Sequence, residues 1–334
     1  MAQKKIPPAK KRKNPYVAGV AALNFKPEQD WDVDEAMEIY ARAKFPFEVD
    51  RIFFEDCIKG MQQLPGNSVD LVIADPPFGI DFDGRGSQYN RKTDLVVAGY
   101  KEIEASYDQF TLAWISELPR LMKDTASAYI FSGWTNLKDV LVAVDKANLT
   151  VINHIIWKYQ FGVFTQRKFV TSHYHVLFLV KNPEKYYFNK IEHYPLDIWD
   201  IPRTYRPGQQ KNGTKLPENV VFRCIDFSSK PGDLVLDPFM GNGTSAACAK
   251  AKFRHFIGFE LNKNLQEILD ENIKAVHVGE SYVPYHTMVP PAETLAEKYP
   301  AVKKILDRKQ VAASGGSKEG NQRERTQAPL DEFI

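Results

Sequence analysis

Residues 68–75, SVDLVIAD, are apolar at Val69 and at every position from Leu71 to Ala74. A strand with one wet face alternates apolar and polar residues; a run this continuous is buried on both faces, which calls for helices above and below a mainly parallel sheet. The neighbouring sequence supplies the pattern. Strand-like RIFFED (51–56), SAYIFSG (127–133), VINHIIWKY (151–159), DLVLD (233–237) and HFIGFE (255–260) alternate with helix-like segments. The helices are read as CIKGMQQL (57–64), YDQFTLAWISELPRLMK (107–123, interrupted or ended near Pro119), TNLKDVLVAVDKA (135–147), LPENVVFRCIDFSS (216–229, Pro217 in its first turn), 243–252, and a last one from Asn262. HYHVLFLVK (173–181) follows VINHIIWKY after a short connection and reads as its antiparallel partner. The expected fold is α/β, one sheet mainly parallel with one antiparallel strand.

Residues 1–14 are a proline-containing arm carrying Lys4, Lys5, Lys10, Lys11, Arg12 and Lys13, read as disordered, with phosphate contact as its functional alternative. An extension over 15–50 precedes the expected domain at 51–309, and 310–334 reads as a disordered polar tail. Ile80 to Ser106 holds no clear element, which marks a functional or mobile loop. Net charge is only +2, so polyanion binding must come from local patches. Cys57, Cys224 and Cys248 form no CxxC pair, so neither a disulfide framework nor a metal site is read, and a reduced, cytoplasmic protein is expected. No apolar stretch approaches the length of a membrane span.

Two strand ends carry the chemistry. Asp75-Pro76-Pro77-Phe78 closes the buried strand with two prolines, which hold Asp75 and Pro76 extended and stiff. The Asp75 carboxylate and the Pro76 carbonyl then stand side by side, two acceptors for the two hydrogens of an amino group, with Phe78 available to cover an aromatic ring. The second end is DLVLDPFMGNGT: strand, Asp237, then a glycine turn through Gly241 and Gly243 into a helix. Glu260 ends the following strand, where it can accept from ribose hydroxyls. Gly241-Asn-Gly243-Thr-Ser-Ala246 also satisfies the GxGxxG/A dinucleotide fingerprint, so a nicotinamide oxidoreductase is an alternative. Asp237 weighs against it, since it would repel a pyrophosphate and attract an ammonium.

Together DPPF and DPFMGNGT resemble the S-adenosylmethionine-dependent DNA methyltransferases that modify exocyclic amino groups. The resemblance runs from about Phe53 to Asn272, and the catalytic tetrapeptide preceding the glycine loop matches the circularly permuted β group. It implies a Rossmann-like methyltransferase sheet. By position, Asp237, Phe239, Gly241 and Gly243 would wrap the methionine portion of the cofactor, with Thr244 nearby. Glu260 would hold the ribose and Asp56 the adenine amino group, with Cys57 and Asn262 beside these acids. Thr214, Lys215 and Pro217 resemble the segment that closes over the methionine carboxylate. Phe78 stands where Tyr is commoner.

The resemblance implies methylation of duplex DNA by base flipping, with N6 of adenine as the target because the tetrapeptide begins with Asp; N4 of cytosine is the alternative. A homodimer and a cognate restriction enzyme are implied in the same way. Target recognition is expected over about 157–215, with Lys158, Arg167, Lys168, Arg203, Arg206, Gln209, Gln210 and Lys211 as candidate DNA contacts. His173 and His175 share a strand face and are read as strand packing.

Overall fold

The computed structural model describes residues 26–77, 106–159, 165–203, 216–298 and 300–314. Residues 26–289 make one compact unit; the described residues from 290 onward belong to a second.

The larger unit is built on one eight-stranded sheet: β1 (Arg51–Phe53), β2 (Val69–Ala74), β3 (Met122–Ser132), β4 (Thr150–Lys158), β5 (His173–Val180), β6 (Ile198–Asp200), β7 (Leu234–Asp237) and β8 (His255–Phe259). Their order is β1-β8-β7-β2-β3-β5-β4-β6. All pairings are parallel except those of β5 with β3 and β4, so β5 alone runs against the rest. This matches the sequence expectation of one reversed strand.

Helices cover both faces. On one lie α2 (Cys57–Gln63), α3 (Tyr107–Ile115), α4 (Leu118–Leu121) and α5 (Leu137–Lys146), which share a core with Val72 and Ala74. On the other lie α6 (Glu218–Ser228), α7 (Thr244–Ala251) and α8 (Gln266–Lys274), sharing a core with Leu71 and Ile73. Every residue of β2 is buried. The unbroken apolar run is thus explained by two cores that take alternate side chains of one strand.

Several boundaries differ from the sequence reading. RIFFED is a strand only over 51–53, because β1 is an edge strand whose single partner, β8, pairs with it no further than Phe53↔Phe259. β3 begins at Met122, inside the stretch read as helix, where it pairs with Val69. β6 was not expected at all; Ile198, Trp199 and Asp200 become a strand by pairing with β4. Pro217 is the N-cap of α6 and lies just outside its first turn.

The part of the extension from residue 26 belongs to the sheet-bearing unit. It holds α1 (Val33–Arg42), started by a capping box in which Asp32 accepts from the Glu35 amide at 2.8 Å and Glu35 accepts from the Asp32 amide at 3.0 Å. His255 of β8 ties this helix down: its Nδ1 bonds Asp50 at 2.8 Å, its Nε2 bonds the Tyr40 carbonyl at 3.1 Å, and its ring stacks on Tyr40. The second unit contains α9 (Ala292–Lys298) and α10 (Pro300–Ser314), which bury Leu295 and Val302. The expected tail at 310 therefore starts with the end of a helix. The arm at 1–14 and the loop from 80 to 105 lie outside the described residues.

Candidate active site

Neighbouring strands β1, β8, β7 and β2 point the same way, and each delivers an acid to one edge of the sheet. Asp56 follows β1, Glu260 follows β8, Asp237 ends β7 and Asp75 follows β2. From β7 the chain continues to β8 on one side; from β2 it continues to β3 on the other. The crevice between β7 and β2 is therefore the topological switch point, where open α/β sheets bind ligands. Leu71 pairs with Val235 and Val72 with Leu236, which brings Asp237 alongside the end of β2. Asp75 continues the parity of Leu71 and Ile73, and Asp237 that of Val235, so both belong to the face covered by α6 and α7.

Asp237 is buried, and Asp75, Glu260 and Asp56 are partly buried. Burial and the facing charge of Asp237 push the Asp75 carboxyl up to about 7, against an opposing pull from Arg203. Asp237 is itself raised to about 6, mainly by burial, with bonds from Ser245 and the Phe239 amide opposing and Glu260 adding to the rise. Glu260 is raised by burial although the amides of Asn262 and Gly241 bond it. Those bonds measure 2.7 and 2.9 Å. Desolvated carboxylates gathered in a crevice suit a ligand that carries positive charge.

The glycine turn shapes the same place. Gly241 and Gly243 adopt φ of 53° and 80°. A Cβ on Gly243 would come 2.7 Å from the Leu269 side chain, so that position combines a left-handed backbone with close packing on α8. The Asp237 carboxylate accepts from the Phe239 amide at 2.9 Å, which folds the turn back over the strand end. Phe239 itself lies edge-on to Trp114, 5.1 Å between centroids, and against Phe110. Its ring thus anchors the turn to α3. Asp56 caps α2 by accepting from the Lys59 amide at 3.0 Å through one oxygen of its carboxylate. Cys57 opens that helix, buried, with its thiol raised to about 12 by burial and by Asp56, so it offers no thiolate.

Residues 69–271 match the family described as DNA methylase. The chain belongs to this family. Among curated relatives, the Type II methyltransferase M.HinfI of Haemophilus influenzae is 26% identical over 250 residues, covering 66% of this chain and 67% of that one. The DNA adenine methyltransferase YhdJ of Escherichia coli K12 is 29% identical over 271 residues, covering 72% of this chain and 86% of the relative. Among solved structures, the M1.HpyAVI–SAM complex superposes with a TM-score of 0.51 at 23% identity, over 67% of this chain and 98% of that chain. The cytosine-N4-specific PvuII DNA methyltransferase gives 0.50 at 14%, over 72% and 100%. The methylase family takes the place of the nicotinamide alternative.

Of the residues expected in the methylase site, the structure brings Asp75, Pro76, Asp237, Gly241, Gly243 and Glu260 to one crevice, with Thr244, Asn262, Asp56 and Cys57 at its margins. Phe78, Thr214, Lys215, Arg206, Gln209, Gln210 and Lys211 lie outside the described residues. Arg167 and Lys168 are exposed beside Phe169, whose side chain is 98% exposed. Lys158 bonds Asp200 across β4 and β6 at 2.9 Å. His175 bonds His154 on the neighbouring strand at 2.7 Å. Arg203 does not project as a loop charge; it packs over aromatic rings. Nothing in the sequence around Arg203 signals that packing, because its aromatic partners come from β4, β5 and the residue after β4.

Proposed function

We propose that this chain transfers a methyl group from S-adenosylmethionine to N6 of adenine in duplex DNA, with the target base flipped out of the helix. The observation that carries the proposal is the facing pair at the switch point: Asp75 with the Pro76 carbonyl for an amino group, and Asp237 beside them for a cation.

The fit to the cofactor rests on the raised carboxyls and the glycine turn. Asp237 would take its ammonium, Glu260 its ribose and Asp56 its adenine, while Gly241 and Gly243 let backbone lie against the methionine chain. Bound there, S-adenosylmethionine supplies a methyl group already activated on a sulfonium. The remaining work falls to the chain. Asp75 and the Pro76 carbonyl accept the two N6 hydrogens, drawing the nitrogen lone pair out of the ring and toward the methyl carbon. Held by Asp237, Glu260 and Asp56, the cofactor would supply the methyl carbon, and its sulfur would keep the electron pair of the carbon–sulfur bond broken as the nitrogen–carbon bond forms. Asp75 takes the proton that the methylated nitrogen releases and passes it to water. Alignment of this kind supplies about 7–11 kcal/mol in favourable cases, so no covalent intermediate on the enzyme is needed.

Phe78 is proposed to stack on the flipped base, at about 1–3 kcal/mol. Lys158, Arg167, Lys168 and the exposed Phe169 form the described part of the proposed DNA surface, and Arg206, Gln209, Gln210 and Lys211 are its candidates outside the described residues. Adenine is favoured by the initial Asp of the tetrapeptide and by the name of the YhdJ relative. The test is to methylate duplex DNA with labelled cofactor, digest it to nucleosides and weigh them. N6-methyladenine is expected, and N4-methylcytosine as the sole product would refute the choice of base. A homodimer and a companion endonuclease are proposed from the family resemblance. Light scattering that gives a monomer at micromolar concentration would refute the dimer.

A further inference from the structure

We propose that Arg203 is a positioning residue that holds Asp75 as the hydrogen-accepting carboxylate during methyl transfer, an inference that rests on the function proposed above. The guanidinium carbon of Arg203 lies 4.5 Å from the ring centroid of Tyr159, 5.0 Å from Tyr174 and 5.3 Å from Trp157. The three rings are themselves fixed. Trp157 is fully buried, its indole nitrogen donates to the Ile201 carbonyl at 2.8 Å, and its ring stacks on Tyr174 at 5.5 Å and meets Tyr159 at 5.8 Å. The bond to Ile201 pins the chain two residues before Arg203, so the cation is held from its backbone and from its head group.

This aromatic seat belongs to the same core, on the same face of the sheet, as Leu71 and Ile73, whose parity Asp75 continues. It also lies at the edge where Asp75 lies, since Tyr159 follows the last residue of β4 and Tyr174 stands near the start of the reversed β5. Among the described residues, Asp237 of β7 raises the pKa of Asp75 and Arg203 lowers it, while the Tyr107 hydroxyl of α3 is itself raised in part by the Asp75 charge. Among the described residues, Arg203 is thus the cation that opposes Asp237. A guanidinium seated on rings is partly desolvated and permanently charged, so its field on the partly buried Asp75 carboxylate is less screened than between exposed groups. The ring faces hold the cation in place. Without Arg203, burial and Asp237 act unopposed, and Asp75 becomes a carboxylic acid whose hydroxyl would donate where the amino group needs an acceptor.

The experiment compares full-length wild type, Arg203→Met and Arg203→Lys, measuring kcat and KM for duplex DNA from pH 6 to pH 9, with S-adenosylmethionine affinity measured by calorimetry on each. Arg203→Met is expected to bind cofactor as the wild type does and to displace the acidic limb of kcat upward by about one pH unit. That makes kcat about tenfold lower at pH 6, with recovery toward pH 9. Arg203→Lys, which keeps the charge, is expected to restore most of the acidic limb. A constant deficit at every pH, or one confined to KM for DNA, would make Arg203 a DNA contact and overturn the proposal. Superimposable profiles would overturn it equally. Should Arg203→Met fail to fold, a wild-type acidic limb in Arg203→Gln, which is uncharged but also planar, would overturn it as well. A wild-type protein that transfers no methyl group to DNA would instead strike the function proposed above.

Discussion

Asp237, the proposed partner of the cofactor's ammonium, acts against its own fold. Its carboxyl is raised from 3.8 to about 6, so the folded state favours the protonated form. The contribution to stability is fully present below the unfolded value near 3.8 and is lost as pH rises through about 6. Asp237→Asn keeps an acceptor for the Phe239 amide and removes the charge. It should raise the melting temperature of the ligand-free protein at pH 8, by stability on the order of 2 kcal/mol, and leave it nearly unchanged at pH 4. The same variant should bind S-adenosylmethionine more weakly at pH 8 if Asp237 is the partner proposed for its ammonium. Equal melting temperatures at pH 8 would show that the charge costs the fold nothing. Asp75→Ala separates the two acids: cofactor affinity should stay within a few-fold of wild type while methyl transfer to DNA disappears, and retained transfer would remove Asp75 from the mechanism. Both acids were legible in the sequence because each stands between a buried strand and residues that constrain the backbone, prolines for Asp75 and glycines for Asp237. Arg203 was legible only as a cation in a polar stretch, since its seat is assembled from rings on other strands.

At the scale of elements, Asp56 caps α2 through the Lys59 amide with one carboxylate oxygen, and the proposed contact with the cofactor's adenine would use the other. Asp56→Ala should cost about 1 kcal/mol of stability, whereas Asp56→Asn should melt like the wild type because asparagine caps as well as aspartate. Both should weaken cofactor binding in calorimetry. Wild-type affinity in Asp56→Asn would leave Asp56 with the cap alone. The reversed β5 was legible because the basic-aromatic connection between two β-rich runs holds no helix-like segment for a crossover. β6 was not, because a three-residue strand owes its existence to its partner β4 and carries no period of its own. The start of α1 was written in the sequence as Asp32 and Glu35, a capping box that the reading of 15–50 as a bare extension passed over.

For the molecule as a whole, the strand order has a consequence in time. β2 pairs on one side with β3, close behind it in the chain, and on the other with β7, whose residues come more than 160 positions later. The buried Asp70 makes the dependence concrete: it pairs with Lys123 at 2.8 Å and also accepts from the Leu234 amide at 3.0 Å. During synthesis the most apolar strand of the protein therefore waits, one edge unpaired, until about two thirds of the chain has been made. A chain ended at residue 230 should collect as insoluble aggregate, and the full chain should refold slowly, with yield falling as protein concentration rises. A soluble, monomeric 26–230 fragment would contradict this. The permuted order that sets Asp75 before the glycine turn thus makes the enzyme's central strand its longest-exposed hazard, and gives an early partner for β2, a chaperone or the ribosome surface, a direct bearing on how much active protein is made.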